Sequence, residues 1–125
     1  MILGIGTDIA RVARFEAALS RRGERFTRRL LGEVERERIQ RHARPAAFLA
    51  KRFAAKEAFV KALGTGLRHG MRWTEIQVIN DSLGRPSLLL AGKAHELARS
   101  VGVRVAHLTL SDEEEFAVAF VILEG

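Results

Sequence analysis

The sequence predicts an α+β fold in which an antiparallel sheet packs on one long buried helix with shorter helices around it. Three observations carry this. First, thirteen of the eighteen residues from Ala46 to Leu63 are Ala, Phe, Leu or Val, and the other five are all charged. A helix that is apolar nearly all round is buried nearly all round. Second, the hydrophobic period shortens after the loop GTGLRHGM, from helical spacing to the alternation of strands. Third, the chain closes on two apolar runs, Val103 to Leu110 and Phe116 to Leu123, joined by the acidic turn SDEEE. Helices come mainly first and hairpins mainly last, the order of an α+β domain. At 125 residues the chain is expected to form a single domain, 1–125, around one core.

In order, Met1 to Thr7 reads as a short buried strand. Ile9, Val12, Phe15 and Leu19 then follow a helical period that stops at Gly23, and Phe26, Leu30 and Leu31 suggest another short helical stretch. Glu33 to His42 is a charged helix with little apolar face, expected on the surface. Pro45 suits the first turn of the long helix and Gly64 its C-terminal cap. Trp73 to Ile79 and Ser87 to Leu90 read as a hairpin around NDSLGRP, and Gly92 to Val101 as a short helix.

Composition narrows the function. The longest apolar run is eight residues, Phe116 to Leu123, against the roughly 20 that a membrane span needs. MILGIGTDIA carries no basic leader, so a cytoplasmic location is expected. Zero cysteines exclude disulfides, thiolate metal sites and cysteine nucleophiles. The net charge of +6 is concentrated: residues 11–44 hold eleven arginines and five glutamates, and the rest of the chain is balanced. Such a segment is either a docking face for an acidic partner or a well-solvated helical surface.

The charges of the long helix need explaining, because an unpaired buried charge costs several kcal/mol. Arg52 and Lys56 project within its apolar face, while Glu57 and Lys61 stand one turn apart at the margin. Glu57 and Lys61 read either as a plain ion pair within the helix or as site residues. The loop GTGLRHG admits close backbone approach to a phosphate, or serves merely as a helix cap. In GIGTDI, Asp8 follows a strand and precedes a helix. It is either an N-cap or, with Glu57, half of an oxygen site for Mg²⁺.

Taken together, GIGTDIARVARF, FAAKEAFVKALGTG, WTEIQVINDSLGRPSLLL and HLTLSDEEEFAVAFVI resemble the holo-acyl-carrier-protein synthases, the short class of phosphopantetheinyl transferases. The likeness spans essentially the whole chain. It implies Mg²⁺-dependent transfer of the 4'-phosphopantetheine arm of coenzyme A onto a serine of apo acyl carrier protein. Adenosine 3',5'-bisphosphate would be released, in support of fatty acid biosynthesis. Asp8 and Glu57 match the metal ligands of that family. Lys61 matches the lysine at the coenzyme A diphosphate, with Lys56, Gly64 and Gly66 in the same motif and loop. His107 matches a histidine near the nucleotide, although its place on an apolar strand with Val103 and Val105 also suits a core histidine. Glu57, directly or through a bound water, is the candidate to remove the serine proton, with Lys61 beside it. Ala10 stands where longer members carry a second acid, and Thr109 where a serine is common.

The resemblance gives the arginine-rich segment 11–29 a partner, an acidic carrier protein meeting Arg14, Arg21, Arg22, Arg25 and Arg28. It also implies a homotrimer with sites between subunits, built on the two closing strands. The rival reading is a basic nucleic-acid-binding module, which would leave Asp8 and Glu57 without a role. It would have only Phe15 and Phe26 for stacking within its basic segment.

Overall fold

The computed structural model describes residues 1–125. Strand β1 (Ile2–Arg11) leads into helices α1 (Val12–Arg22), α2 (Glu24–Leu30), α3 (Glu33–Ile39) and the long α4 (Pro45–Leu63). A 3₁₀ turn at Trp73–Glu75 precedes β2 (Ile76–Asn80) and β3 (Pro86–Leu90), followed by α5 (Gly92–Ser100), β4 (Val105–Asp112) and β5 (Phe116–Glu124). The first and last strands meet: the main sheet runs β1-β5-β4, all antiparallel, and β2 with β3 forms a separate hairpin.

Helix α4 runs through the middle. It begins at Pro45 and ends at Gly64, whose φ of 81° places it in the left-handed region that suits glycine at a helix end. One side of α4 lies on β1 and β5, and the other meets α1, α2 and β2. Its alanines explain the closeness of the first contact. A Cβ on Gly6 would sit 2.0 Å from the Ala58 carbonyl oxygen, and one on Gly4 would sit 2.0 Å from that of Ala62. Glycine on the strand and alanine on the helix therefore let backbone rest on backbone.

Two expectations need correction. The first strand does not stop at Thr7: Asp8, Ile9, Ala10 and Arg11 pair with Ala119, Val118, Ala117 and Phe116, and the helix starts only at Val12. Asp8 is therefore a strand residue and not an N-cap. Ile9 matched the helical period by coincidence of spacing, while Ile5, Thr7 and Ile9 equally match a strand.

The second concerns α3, which is not simply a surface helix. Glu35 is fully buried. Its carboxylate accepts from the backbone N–H of Gly32 at 3.0 Å and of Val78 at 2.9 Å. Gln77, from β2, accepts from the N–H of Val34 at 3.0 Å, which caps α3 from outside the helix. Gly32 is required beneath it, since a Cβ there would sit 2.2 Å from the Gln77 side chain.

Candidate active site at the crossing of β1 and α4

Because Gly4 and Gly6 rest on Ala62 and Ala58, strand β1 brings Asp8 against the outer margin of α4. There the Lys61 ammonium donates to Asp8 Oδ1 at 3.0 Å and to the Thr7 carbonyl at 3.2 Å. Lys61 thus pairs with Asp8 across the crossing, and the simple ion pair with Glu57 one turn away is not formed. The other oxygen, Asp8 Oδ2, is buried and has no hydrogen-bond partner. An orphaned carboxylate oxygen is costly unless a ligand completes it.

Glu57 faces the same place. Partial burial pushes its carboxyl above the ordinary value of 4.5, the Asp8 charge adds to that, and Lys61 and Arg14 oppose it. Two carboxylates that repel each other, with one oxygen left unpaired, fit a divalent cation bound through oxygen. Ala10, buried on the same strand face as Asp8, contributes no third acid. Beyond the helix end, Gly64 and Gly66 take φ values of 81° and 64°, and a Cβ on either would meet nothing within 4 Å. The loop is thus open to an approaching group.

Lys56 does not belong to this site, which corrects its placement among the coenzyme A-binding residues. It points the opposite way from its neighbour Glu57 and is wholly buried. Its ammonium donates to Glu35 Oε1 at 2.7 Å, to the Trp73 carbonyl at 3.0 Å and to the Leu30 carbonyl. Three acceptors satisfy its three donors, leaving none for a ligand. Burial pulls its pKa from 10.5 to about 8, against the pull of Glu35. Arg52 joins the same buried acid at 3.7 Å and donates to Val78 and Asn80. The missed residue is Glu35. Two cations projecting into an apolar face require a buried acid, and segment 11–44 held five candidates.

The arginine-rich segment forms α1 and α2, with Arg14, Arg21, Arg22, Arg25 and Arg28 all exposed. Arg14 lies over the Phe53 ring, 4.9 Å from its centre. Phe53 in turn meets Phe15 and Trp73, with ring centres 5.4 and 5.7 Å apart. An aromatic row, overlaid by Arg14, therefore runs from Phe15 on α1 through Phe53 to Trp73. Grooves beside it are lined by Arg22, Arg25, Phe26 and Arg29, and by Arg28, Arg72, Leu67 and Trp73. Phe15 is buried in the core, so it cannot stack on a base as the nucleic-acid reading needs.

His107 lies elsewhere. It is on β4, half-exposed, and its ring Nε2 is 2.8 Å from Glu124 Oε1. It is not a core histidine. It pairs with Ile122, whereas Asp8 pairs with Ala119, so the two side chains leave opposite faces of the sheet. Beside His107 a cleft between β3 and β4 is lined by Arg85, Pro86, Ser87 and Ala106.

Known proteins are similar to this chain along its full length. It is 50% identical over 124 residues to a holo-[acyl-carrier-protein] synthase of Serratia proteamaculans, covering 99% of this chain and 98% of that one. The solved holo-[acyl-carrier-protein] synthase of Neisseria meningitidis superposes with a TM-score of 0.93 at 39% identity, each chain covered completely. The Bacillus anthracis synthase, solved in complex with coenzyme A (3',5'-ADP), superposes with a TM-score of 0.83 at 38% identity, covering 100% of this chain and 98% of that one. Residues 4–121 match the 4'-phosphopantetheinyl transferase superfamily as a whole, and with a fold and a sequence that agree over the same span, this chain belongs to that superfamily.

Proposed function

We propose that the chain is a holo-acyl-carrier-protein synthase. It would transfer 4'-phosphopantetheine from coenzyme A to a serine of apo acyl carrier protein, as a cytoplasmic step supporting fatty acid biosynthesis. The observation that carries this reading is the meeting of Asp8, Glu57 and Lys61 where β1 crosses α4, in a chain of this superfamily. Residues 1–125 would act as one catalytic domain.

In the reaction the serine oxygen bonds to the β-phosphorus of coenzyme A as the bridge to the α-phosphate breaks, releasing adenosine 3',5'-bisphosphate. Asp8 and Glu57 would hold Mg²⁺, which when bound supplies charge neutralisation at the diphosphate. Lys61, half-exposed and tethered only to Asp8 and Thr7, is placed to donate to a phosphate oxygen. Glu57 takes up the serine proton. It would do so directly or through a bound water. Gly64 and Gly66 would give the diphosphate room to approach the end of α4, since neither carries a side chain there.

The acidic carrier protein docks on α1 and α2 through Arg14, Arg21, Arg22, Arg25 and Arg28. Arg14 lies over Phe53, which stands one helical turn before Glu57 on α4. Three exposed rows on the outer sheet face support a homotrimer: Ile5 and Ile9 on β1, Val118 and Phe120 on β5, and Val105 on β4. His107 shares that face and cannot reach Asp8 of its own chain, so it would serve a neighbour's site, meeting the nucleotide there.

Pantetheine transfer to apo carrier protein, with and without Mg²⁺, tests the reading. Asp8→Ala and Glu57→Ala should each abolish nearly all turnover, and the double variant should be little worse than either. Wild-type turnover in metal-chelated buffer sinks the proposal. Mixing Glu57→Ala with His107→Ala subunits should restore partial activity, since some interfaces then carry two intact halves. An active monomer in sedimentation rules the assembly out.

A further inference from the structure

His107 is not a free imidazole on a sheet surface. Its Nε2 is held at 2.8 Å by a carboxylate oxygen of Glu124. The two share the outer face on neighbouring strands, His107 opposite Ile122 and Glu124 opposite Val105, so their contact runs diagonally across the ladder. The bond and charge of His107 hold the Glu124 carboxyl below its ordinary value of 4.5, with a smaller share from the amino terminus. The backbone carbonyl of Glu124 is fixed too, accepting from the Arg104 N–H at 2.8 Å. Asp81 and Arg85 are the other charged groups at the cleft where His107 sits.

We propose that Glu124 is a positioning residue: by accepting the Nε2 proton it fixes the His107 ring so that Nδ1 faces the cleft as the donor for a phosphate oxygen of coenzyme A. This rests on the reading of that cleft as the nucleotide side of a neighbour's site. The chemistry follows from the ring. A neutral imidazole hydrogen-bonded to a carboxylate through Nε2–H presents a bare Nδ1, which repels an anion. Only the doubly protonated ring has a second N–H to give, and a carboxylate is the partner that pairs with that form. A carboxylate behind a histidine also removes the half-turn of the ring that would exchange the two nitrogens.

Glu124 is exposed, so its replacement leaves the core intact. Glu124→Ala loosens His107 without removing it, so it is expected to raise the KM for coenzyme A roughly fivefold to tenfold, less than the full loss of one charged hydrogen bond. Its kcat should stay within about twofold and its KM for carrier protein should not move. Glu124→Gln keeps an acceptor without the charge and should recover part of the loss. In ¹⁵N-correlated spectra of the imidazole, the Nε2–H signal of His107 should be protected from exchange in the wild type and absent from Glu124→Ala. Adding Glu124→Ala to His107→Ala should change nothing further. A raised KM in His107→Ala beside a wild-type KM in Glu124→Ala overturns the assignment alone. An unchanged KM in His107→Ala overturns the cleft reading and the assignment with it. Altered sedimentation of Glu124→Ala would place the residue in assembly, which also overturns it.

Discussion

Replacing Lys56 by methionine removes the ammonium that Glu35 was folded around and leaves its shape almost unchanged. Glu35 has no solvent exposure, and it retains two backbone donors, Gly32 and Val78. Its remaining countercharge is Arg52, at 3.7 Å against the 2.7 Å of the lost Lys56 contact. Breaking a buried pair from one side costs about 3–5 kcal/mol, because an uncompensated charge stays behind. Arg52 puts the expectation at the lower end, about 3 kcal/mol. For a domain of this size that is a fall in melting temperature of roughly 10–12 °C. Urea denaturation followed by far-ultraviolet dichroism, at one fixed protein concentration, measures it. The double variant Glu35→Gln, Lys56→Met removes both charges and should cost under ~2 kcal/mol, less than Lys56→Met alone, so the two single costs do not add. If Lys56→Met costs less than ~1 kcal/mol, or the two costs simply add, the reasoning that Glu35 depends on Lys56 for its countercharge is wrong.

The carboxylates of the candidate site make a pH-dependent prediction. Glu57 has a folded-state carboxyl raised above 4.5, so its ionised form is a penalty at neutral pH that disappears as pH falls below the unfolded value. Glu57→Gln should therefore raise the melting temperature of the metal-free protein at pH 7 by a few degrees, with no gain at pH 4. Gly6→Ala must push β1 from α4, since its Cβ would sit 2.0 Å from the Ala58 carbonyl oxygen. It should cost roughly 1–3 kcal/mol and lower kcat by about 10²-fold, the scale of a 1 Å misplacement. Equal kcat in a folded Gly6→Ala protein would show that the crossing does not set the site. Arg14→Ala with Arg21→Ala should raise the KM for carrier protein about tenfold and leave that for coenzyme A unchanged. Salt at ~0.3 M should mimic the change, with a Debye length near 6 Å.

The elements with strong local signals were legible. Pro45, the apolar run and Gly64 bounded α4 at both ends, and the two closing apolar runs on either side of SDEEE marked β4 and β5. Where a residue's state is decided by a distant partner, the local pattern misled. Ile9 fits a helix and a strand equally, and pairing with Val118, more than a hundred residues away, decides for the strand. Trp73 opens a 3₁₀ turn before β2 where a strand was expected, and its carbonyl accepts from Lys56, 17 residues back. Glu35 looked like any acid on a charged helix, since nothing nearby in sequence marks the cation 21 residues on that buries it. The site divided the same way. Asp8, Glu57 and Lys61 stood in motifs, but the partnership of His107 with Glu124 depends on a strand register that no local pattern encodes.

The capping of α3 from β2 bears on the order in which the chain folds. Seven residues are far too few for a helix to persist alone in water, and α3 has no side chain of its own at the N-cap. The groups that complete it arrive late in sequence: Lys56 for its acid, Gln77 for its open amides, Val78 for its last carboxylate oxygen. Closing those loops before any contact rewards them is entropically uphill, so α3 belongs to the late phase of folding, after α4 has found β1 and β5. Contacts absent from the transition state govern how fast the native state comes apart. The Glu35 cluster is therefore a latch on the lifetime of the fold, closing last and opening first, on the opposite side of α4 from the proposed site.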